Sequence, residues 1–357
     1  MRKLLLLISV FSSFSLIGIN FTYSQEALYS EYEVNFNVGD IELAGSLTMP
    51  NSDDLHPAVI LISGSFADNR DAEIYGFKPF AIISDYLGKN GIAVLRYDDR
   101  GIGKSTGKHT YQYTIEELAD DVFAAIKLLK SRDDIESSQI GLIGHSLGGM
   151  IAQLVASKSK EVAFIISIAG PVTKPDEINI KYRKTSLTNQ GKTKHEIDKA
   201  LEIEKRIIEV TRTGDGFDNL LSEIKEVAKS DFGKFNENRK KRYKDFDSYF
   251  QSTWYGLMIP FINTPFMKSF YNYKPVPPLE KVTCPALFLF AEKDNQININ
   301  ESGAIIIQSL YKAGNNDYSI RLIPNVGHYF VEDWSEKEFG KGFLSILNNW
   351  ILERVDI

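Results

Sequence analysis

Apolar residues along this chain follow two alternating patterns. Short continuous runs occur at Ala58–Ile62, Gly91–Leu95, Ile140–Ile143, Val162–Ala169 and Ala286–Phe290, and the less apolar Tyr318–Ile323 reads as a further strand. Runs this short, flanked by glycine or proline, are expected of strands buried on both faces. Between them lie segments of helical period. One spans about 74–89. A second follows the capping-box pattern Thr114-x-x-Glu117 and places Leu118, Val122, Ala125, Ile126 and Leu129 on one face. Others start at Ser146, run near 301–313, and end near Glu353. Tyr32–Val38 and Ile41–Met49, split by Gly39-Asp40, predict a hairpin. Strands alternating with amphipathic helices predict the α/β class: a mostly parallel sheet with helices on both faces.

The alternation stops at Gly170-Pro171. About 110 residues follow that are polar, charged and helical, with a second capping box at Thr193 to Glu196 and an aromatic, proline-rich return from Trp254 to Pro278. So long an insertion in one crossover exceeds what a connection needs. It predicts a helical cap over the carboxyl edge of the sheet, where open α/β sheets bind ligands. The expected organisation is residues 1–24 as a signal peptide, 25–170 and 282–357 as two parts of one core, and 171–281 as the cap.

Composition narrows the function. Of 357 residues, 43% are hydrophobic and 25% charged, as in a globular protein, and the net charge of −6 offers no basic stripe for a nucleic acid. The basic run Asn238–Arg242 fits a solvated helix face. Met1-Arg2-Lys3 followed by the apolar Leu4–Phe21 resembles a signal peptide, with cleavage before Gln25. Export to the periplasm or medium is then expected, with no stable membrane insertion; an uncleaved N-terminal anchor is the alternative. Cys284 is the only cysteine, so no intramolecular disulfide forms, and a partly apolar setting makes a buried, inert thiol the expected reading. No metal or cofactor site is visible.

The chemistry centres on Ile140-Gly-Leu-Ile-Gly-His-Ser-Leu-Gly-Gly149, where a strand runs into Gly144-x-Ser146-x-Gly148 and a helix begins. Strand, G-x-S-x-G and helix in that order make a nucleophile elbow, and the chain resembles the α/β-hydrolase family. The resemblance implies a Ser, Asp/Glu, His order for the catalytic groups. Asp294 follows the run ending at Phe290, and His328 follows the run ending at Ile323. Of five histidines only His328 has the required order and place. Ser146 is thus the expected nucleophile, His328 the base and Asp294 the acid, with Glu292 and Asp176 as alternatives for the last. Asp98 and Asp99 are expected to be structural. Oxyanion donors are expected at the backbone N–H of Leu147 and, from the loop after Ala58–Ile62, of Ser65, with Phe66 the second choice. Gly101-Ile-Gly-Lys-Ser105 is not a phosphate loop, because Asp98 stands where the first glycine is required.

Gly64 to Gly107 resembles bacterial carboxylesterases and serine-aminopeptidase-like (S33-type) hydrolases, which read G-S-G-P-x-D-R-D, H-K-P-F and R-x-D-D-R-G-x-G-x-S. Here Phe66 replaces the second glycine of the first motif and Phe77 the histidine of the second. The resemblance implies a serine esterase on a small-molecule acyl substrate. A peptidase or amidase using the same triad is the alternative, and a fold that only binds ligand is a third, non-catalytic reading. Phe66, Trp254 and Phe266 are candidates for the substrate pocket, in competition with packing of the cap on the core.

Overall fold

The structure, a computed structural model, describes residues 27–65 and 68–356. The expected signal segment and Phe66 lie outside the described residues. The core begins with β1 (Tyr29–Val38) and β2 (Ile41–Pro50), paired antiparallel through a turn in which Gly39 takes φ 59°. Then follow β3 (His56–Ile62), α1 (Pro79–Gly88), β4 (Ala93–Tyr97), α2 (Ile115–Lys130), β5 (Ile135–His145), α3 (Leu147–Lys158) and β6 (Phe164–Ile168). The helices α4 (Pro175–Asn189), α5 (Lys194–Thr213), α6 (Phe217–Gly233), α7 (Glu237–Lys240), α8 (Phe246–Gln251), α9 (Trp254–Met258), α10 (Pro265–Asn272) and α11 (Val276–Leu279) come next. The core resumes with β7 (Ala286–Ala291), α12 (Ile299–Ala313) and β8 (Tyr318–Ile323). It ends with a small hairpin, β9 (Val331–Asp333) and β10 (Glu338–Phe339), and α13 (Phe343–Leu352).

The sheet order is β1-β2-β4-β3-β5-β6-β7-β8, parallel from β4 onward. Strands β3, β4, β6 and β7 are buried along their whole length, as their continuous apolar runs require. One core cluster packs α2 and α3 against one face, including Val122, Leu129, Ile151 and Val155. The other packs α1 and α13 against the opposite face, including Ile83, Leu87, Leu347 and Trp350. The inserted helices carry a small core of their own, around Ile203, Ile207, Leu220, Ile224 and Phe250. They dock through α10, where Ser269 Oγ accepts the N–H of Ile115 at the start of α2, at 3.0 Å.

Two expectations shift. The helix anticipated from residue 74 starts at Pro79, because a proline disfavours helical geometry in the residue before it, and Lys78 is non-helical at φ −117°, ψ 72°. Ile74 and Phe77 instead close a tight turn by exchanging backbone hydrogen bonds. The β9–β10 hairpin was not anticipated, since strands of three and two residues carry too short a pattern to read. Gly103 shows why the glycine pair near it holds no phosphate: a Cβ there would lie 2.4 Å from Asp98 Oδ2. The Asp98 carboxylate fills that turn, accepting the N–H of Lys104.

The loop after β4 is fixed by charge. Arg100 donates to both oxygens of Asp121 on α2, at 2.8 and 2.9 Å from Nε, and to the carbonyl of Glu117. Both side chains are buried. Removing one partner of such a pair strands the other charge. Arg100→Ala is expected to lower the unfolding free energy by about 3–5 kcal/mol, whereas Arg100→Met combined with Asp121→Leu should recover most of it. Urea midpoints for the two variants check this; an unchanged midpoint for Arg100→Ala would show that the pair holds nothing in place.

Candidate active site

The elbow is a consequence of crowding. A Cβ on Gly144 would lie 2.1 Å from the carbonyl oxygen of Gly148, and one on Gly148 would lie 2.1 Å from that of Ile62. Neither position tolerates any side chain. Between them Ser146 adopts φ 53°, ψ −118°, outside the regions open to most residues, and its N–H is held by the carbonyl of Ile168 at 2.8 Å. The hydroxyl therefore leaves the sheet at its carboxyl edge, over the N-terminus of α3.

Three loops converge there. His328, after β8, places Nε2 3.1 Å from Ser146 Oγ and Nδ1 2.7 Å from Asp294 Oδ2. Asp294, after β7, also accepts the N–H groups of Gln296 at 2.8 Å and Ile297 at 3.1 Å. Burial raises the pKa of this carboxyl, but the hydrogen bond and charge of His328 and the two backbone donors outweigh it, holding it below the ordinary range. Asp294 therefore stays ionised and accepts the Nδ1–H of His328, which leaves Nε2 free to accept the serine hydroxyl proton.

The alternative acids serve elsewhere. Glu292 accepts the N–H of Asn325 at 2.8 Å and braces the turn that precedes His328. Asp176, on α4, pairs with Arg212 at 2.7 Å. His145, inside the elbow, donates from Nε2 to the backbone carbonyl of His328 at 3.0 Å, pinning the loop that carries the base. Burial and the neighbouring His328 push its own pKa down to about 4, so it is neutral at physiological pH.

Leu147 follows Ser146 as the first residue of α3, so its N–H has no partner within the helix. Ser65, on the loop after β3, lines the same cavity as Ser146. That loop is gripped from behind by Asp99. Its carboxylate accepts the Ser63 hydroxyl, at 2.8 and 2.9 Å from the two oxygens, and the N–H of Asp68 at 2.8 Å. Burial pushes Asp99 up to about 7, against these donors. Asp98 grips the same loop one residue pair further on, through the backbone N–H and guanidinium of Arg70.

A cavity of about 230 Å³ opens beside Ser146 and His328. Ile74, Phe80, Ile83, Phe339 and Phe343 give it an apolar wall. Among the described residues none of α4–α11 lines it, which corrects the expectation for Phe266. That ring is buried against Tyr111 and Phe270 and serves to seat α10 on the core. The side chain of Trp254 and all of Phe66 lie outside the described residues. The wall instead comes from the α1 side of the sheet and from the β9–β10 segment. Tyr329, in the lining, meets Trp334 edge-on, and Trp334 meets Tyr75 in the same way. Cys284 is remote from it, half-buried, its thiol pushed by burial up to about 11. Among the described residues no cluster of His, Cys, Asp or Glu could hold a metal ion, and no helix is long and apolar enough to cross a membrane.

Comparisons with known proteins agree with this geometry. The model of the serine aminopeptidase family S33 matches residues 77–209. The esterase EstD of Thermotoga maritima is 34% identical over 173 residues, 45% of this chain and 41% of that protein. The thiohydrolase aneE of Aspergillus aculeatus is 32% identical over 145 residues, 41% of this chain and 42% of its own. The matched stretches thus span about two-fifths of those relatives' length. Among solved structures, the Pyrococcus furiosus esterase Pf2001 superposes over 91% of both chains with a TM-score of 0.57 at 18% identity, a likeness of fold. Sheet order, elbow and matches together show the α/β-hydrolase fold.

Proposed function

We propose that the protein is a serine hydrolase that cleaves carboxylic esters of small acyl substrates through an acyl-enzyme. One observation carries this reading: a single imidazole, His328, spans a serine at 3.1 Å and a buried carboxylate at 2.7 Å, at the carboxyl edge of the sheet. His328 takes the hydroxyl proton as Ser146 attacks the acyl carbonyl, and Asp294 stabilises the imidazolium that results. The N–H of Leu147, reinforced by the dipole of α3, and that of Ser65 receive the developing oxyanion. His328 then passes its proton to the leaving alkoxide. Water, deprotonated by the same imidazole, releases the acid and restores the serine. The esterase and thiohydrolase names of the two partial relatives support acyl transfer to water. The S33 family match supports amide cleavage by the same relay as a second reading. A panel of acyl esters, thioesters and aminoacyl amides separates the two by relative kcat/KM; esters turned over no faster than amides would favour the second.

Ser146→Ala is expected to lower kcat by about 10⁴–10⁶-fold with the fold unchanged, and His328→Ala by nearly as much. The double variant should be little worse than either, because the two groups act as one unit. Additive losses in steady-state kinetics would break the pairing.

Asp294→Asn keeps the shape of the acid but favours the wrong imidazole tautomer, with an expected loss of about 10³–10⁴-fold in kcat. Glu292→Gln and Asp176→Asn should each cost less than about tenfold, equivalent to about 1.4 kcal/mol. A crippled Asp176→Asn beside an active Asp294→Asn would move the acid to α4.

A further inference from the structure

The cavity beside Ser146 holds a charge that the proton relay and the oxyanion donors do not use. Its described lining contains two aspartate or glutamate side chains, Asp68 and Glu73, and no lysine or arginine. Glu73 already has a cation, with Lys78 Nζ 3.6 Å away. Asp68 has none: among the described residues no side chain pairs with its carboxyl, and burial alone pushes its pKa up to about 6. Its backbone is fixed on both sides, the N–H donating to Asp99 Oδ2 at 2.8 Å and the carbonyl accepting the N–H of Asp99 at 3.1 Å. A short side chain on so fixed a backbone stays at the cavity wall. The titratable groups around it are Asp99 behind, Tyr111 and Tyr329 beside it, and Glu73, His145 and His328 in the same lining.

A partly desolvated carboxylate without a cation is held at a cost, and a ligand ammonium would offset it. We infer that Asp68 selects substrates whose acyl portion carries a protonated amine, so that aminoacyl or aminoalkanoyl esters are preferred over neutral ones of the same shape. The inference rests on the ester-cleaving function proposed above and adds the substrate class. The apolar body of such an acyl group packs on Ile74, Phe80, Ile83 and Phe343, while the ammonium meets Asp68. The same wall offers no counter-charge to a carboxylate or phosphate, so anionic acyl groups are rejected there.

In G-S-G-P-x-D-R-D the position of Asp68 is the unspecified x, and Asn69 stands where the motif has its aspartate. Asn69 uses its side-chain oxygen to accept the N–H of Asp71 at 3.0 Å and shape the loop.

The test is a series of ethyl esters of ω-amino acids, from glycine to 6-aminohexanoic acid, each paired with the ester in which methyl replaces ammonium. Release of ethanol by the full chain gives kcat/KM for each pair. The common leaving group and the common relay cancel in the ratio of amine to methyl ester, which then reports the cavity alone. At one chain length or more, the ratio at pH 8 is expected to exceed one by about tenfold, the size of one charge-assisted hydrogen bond. Asp68→Asn should reduce that ratio by about tenfold, mainly through the KM of the amine ester, and Asp68→Glu should retain part of it. The wild-type ratio should also fall between pH 8 and pH 5, as Asp68 takes up a proton, while the ratio for Asp68→Asn stays flat. This pH comparison in the wild type needs no variant to fold. A ratio of one or less at every chain length, or an equal ratio in wild type and Asp68→Asn, overturns the inference while ester cleavage stands. Absence of turnover for every ester in wild type overturns the ester-cleaving reading and this inference with it.

Discussion

The site depends on one steric fact, the approach of three backbone segments at the end of β5. Gly144 and Gly148 face each other closely enough that a single methylene on either would overlap a carbonyl oxygen, and Gly148 is pressed at the same time against Ile62. This contact turns the chain from strand to helix within one residue and leaves Ser146 in a strained conformation, which costs of order 1–3 kcal/mol. The surrounding sheet sustains that strain. Ser146 donates its N–H to Ile168 on β6, and β3 and β6 flank β5 as parallel partners. In return the hydroxyl is held where His328, on the loop after β8, reaches it.

Carboxylates then position those loops, and each does so in a different way. Asp98 and Asp99 hold the loop after β3 by accepting backbone N–H groups, while Asp121 answers Arg100 and ties the β4 loop to α2. Glu292 braces the turn before His328, and Asp294 orients the ring itself. All are acceptors, as a loop with many unpaired backbone N–H groups requires. Asp68, in the cavity lining, differs from them in that among the described residues no side chain pairs with its carboxyl.

Most of the sheet was legible in the sequence because doubly covered parallel strands write themselves as uninterrupted apolar runs. Both capping boxes were legible for an equally local reason, three residues of spacing, and Thr114–Glu117 and Thr193–Glu196 form them. The elbow, Asp294 and His328 could be placed because each follows the end of a readable strand. What escaped was set by packing between distant segments. The wall of the cavity comes from Ile74, Phe80 and Phe343, which no local period brings together. The aromatic return of the cap looked like a pocket, yet Phe266 is consumed in seating α10 on Tyr111. Asp68 was invisible as a site because an isolated aspartate in a loop carries no pattern; only its lack of a partner in three dimensions sets it apart.

The central claim is that Ser146 is the nucleophile activated by His328, and covalent capture tests it most directly. Incubation of the full chain with a fluorophosphonate, followed by intact-mass and peptide mass spectrometry, should show one adduct, on Ser146. The same reagent should label His328→Ala far more slowly and Ser146→Ala not at all. An adduct on another serine, or labelling of Ser146 at an equal rate with and without His328, would contradict the account.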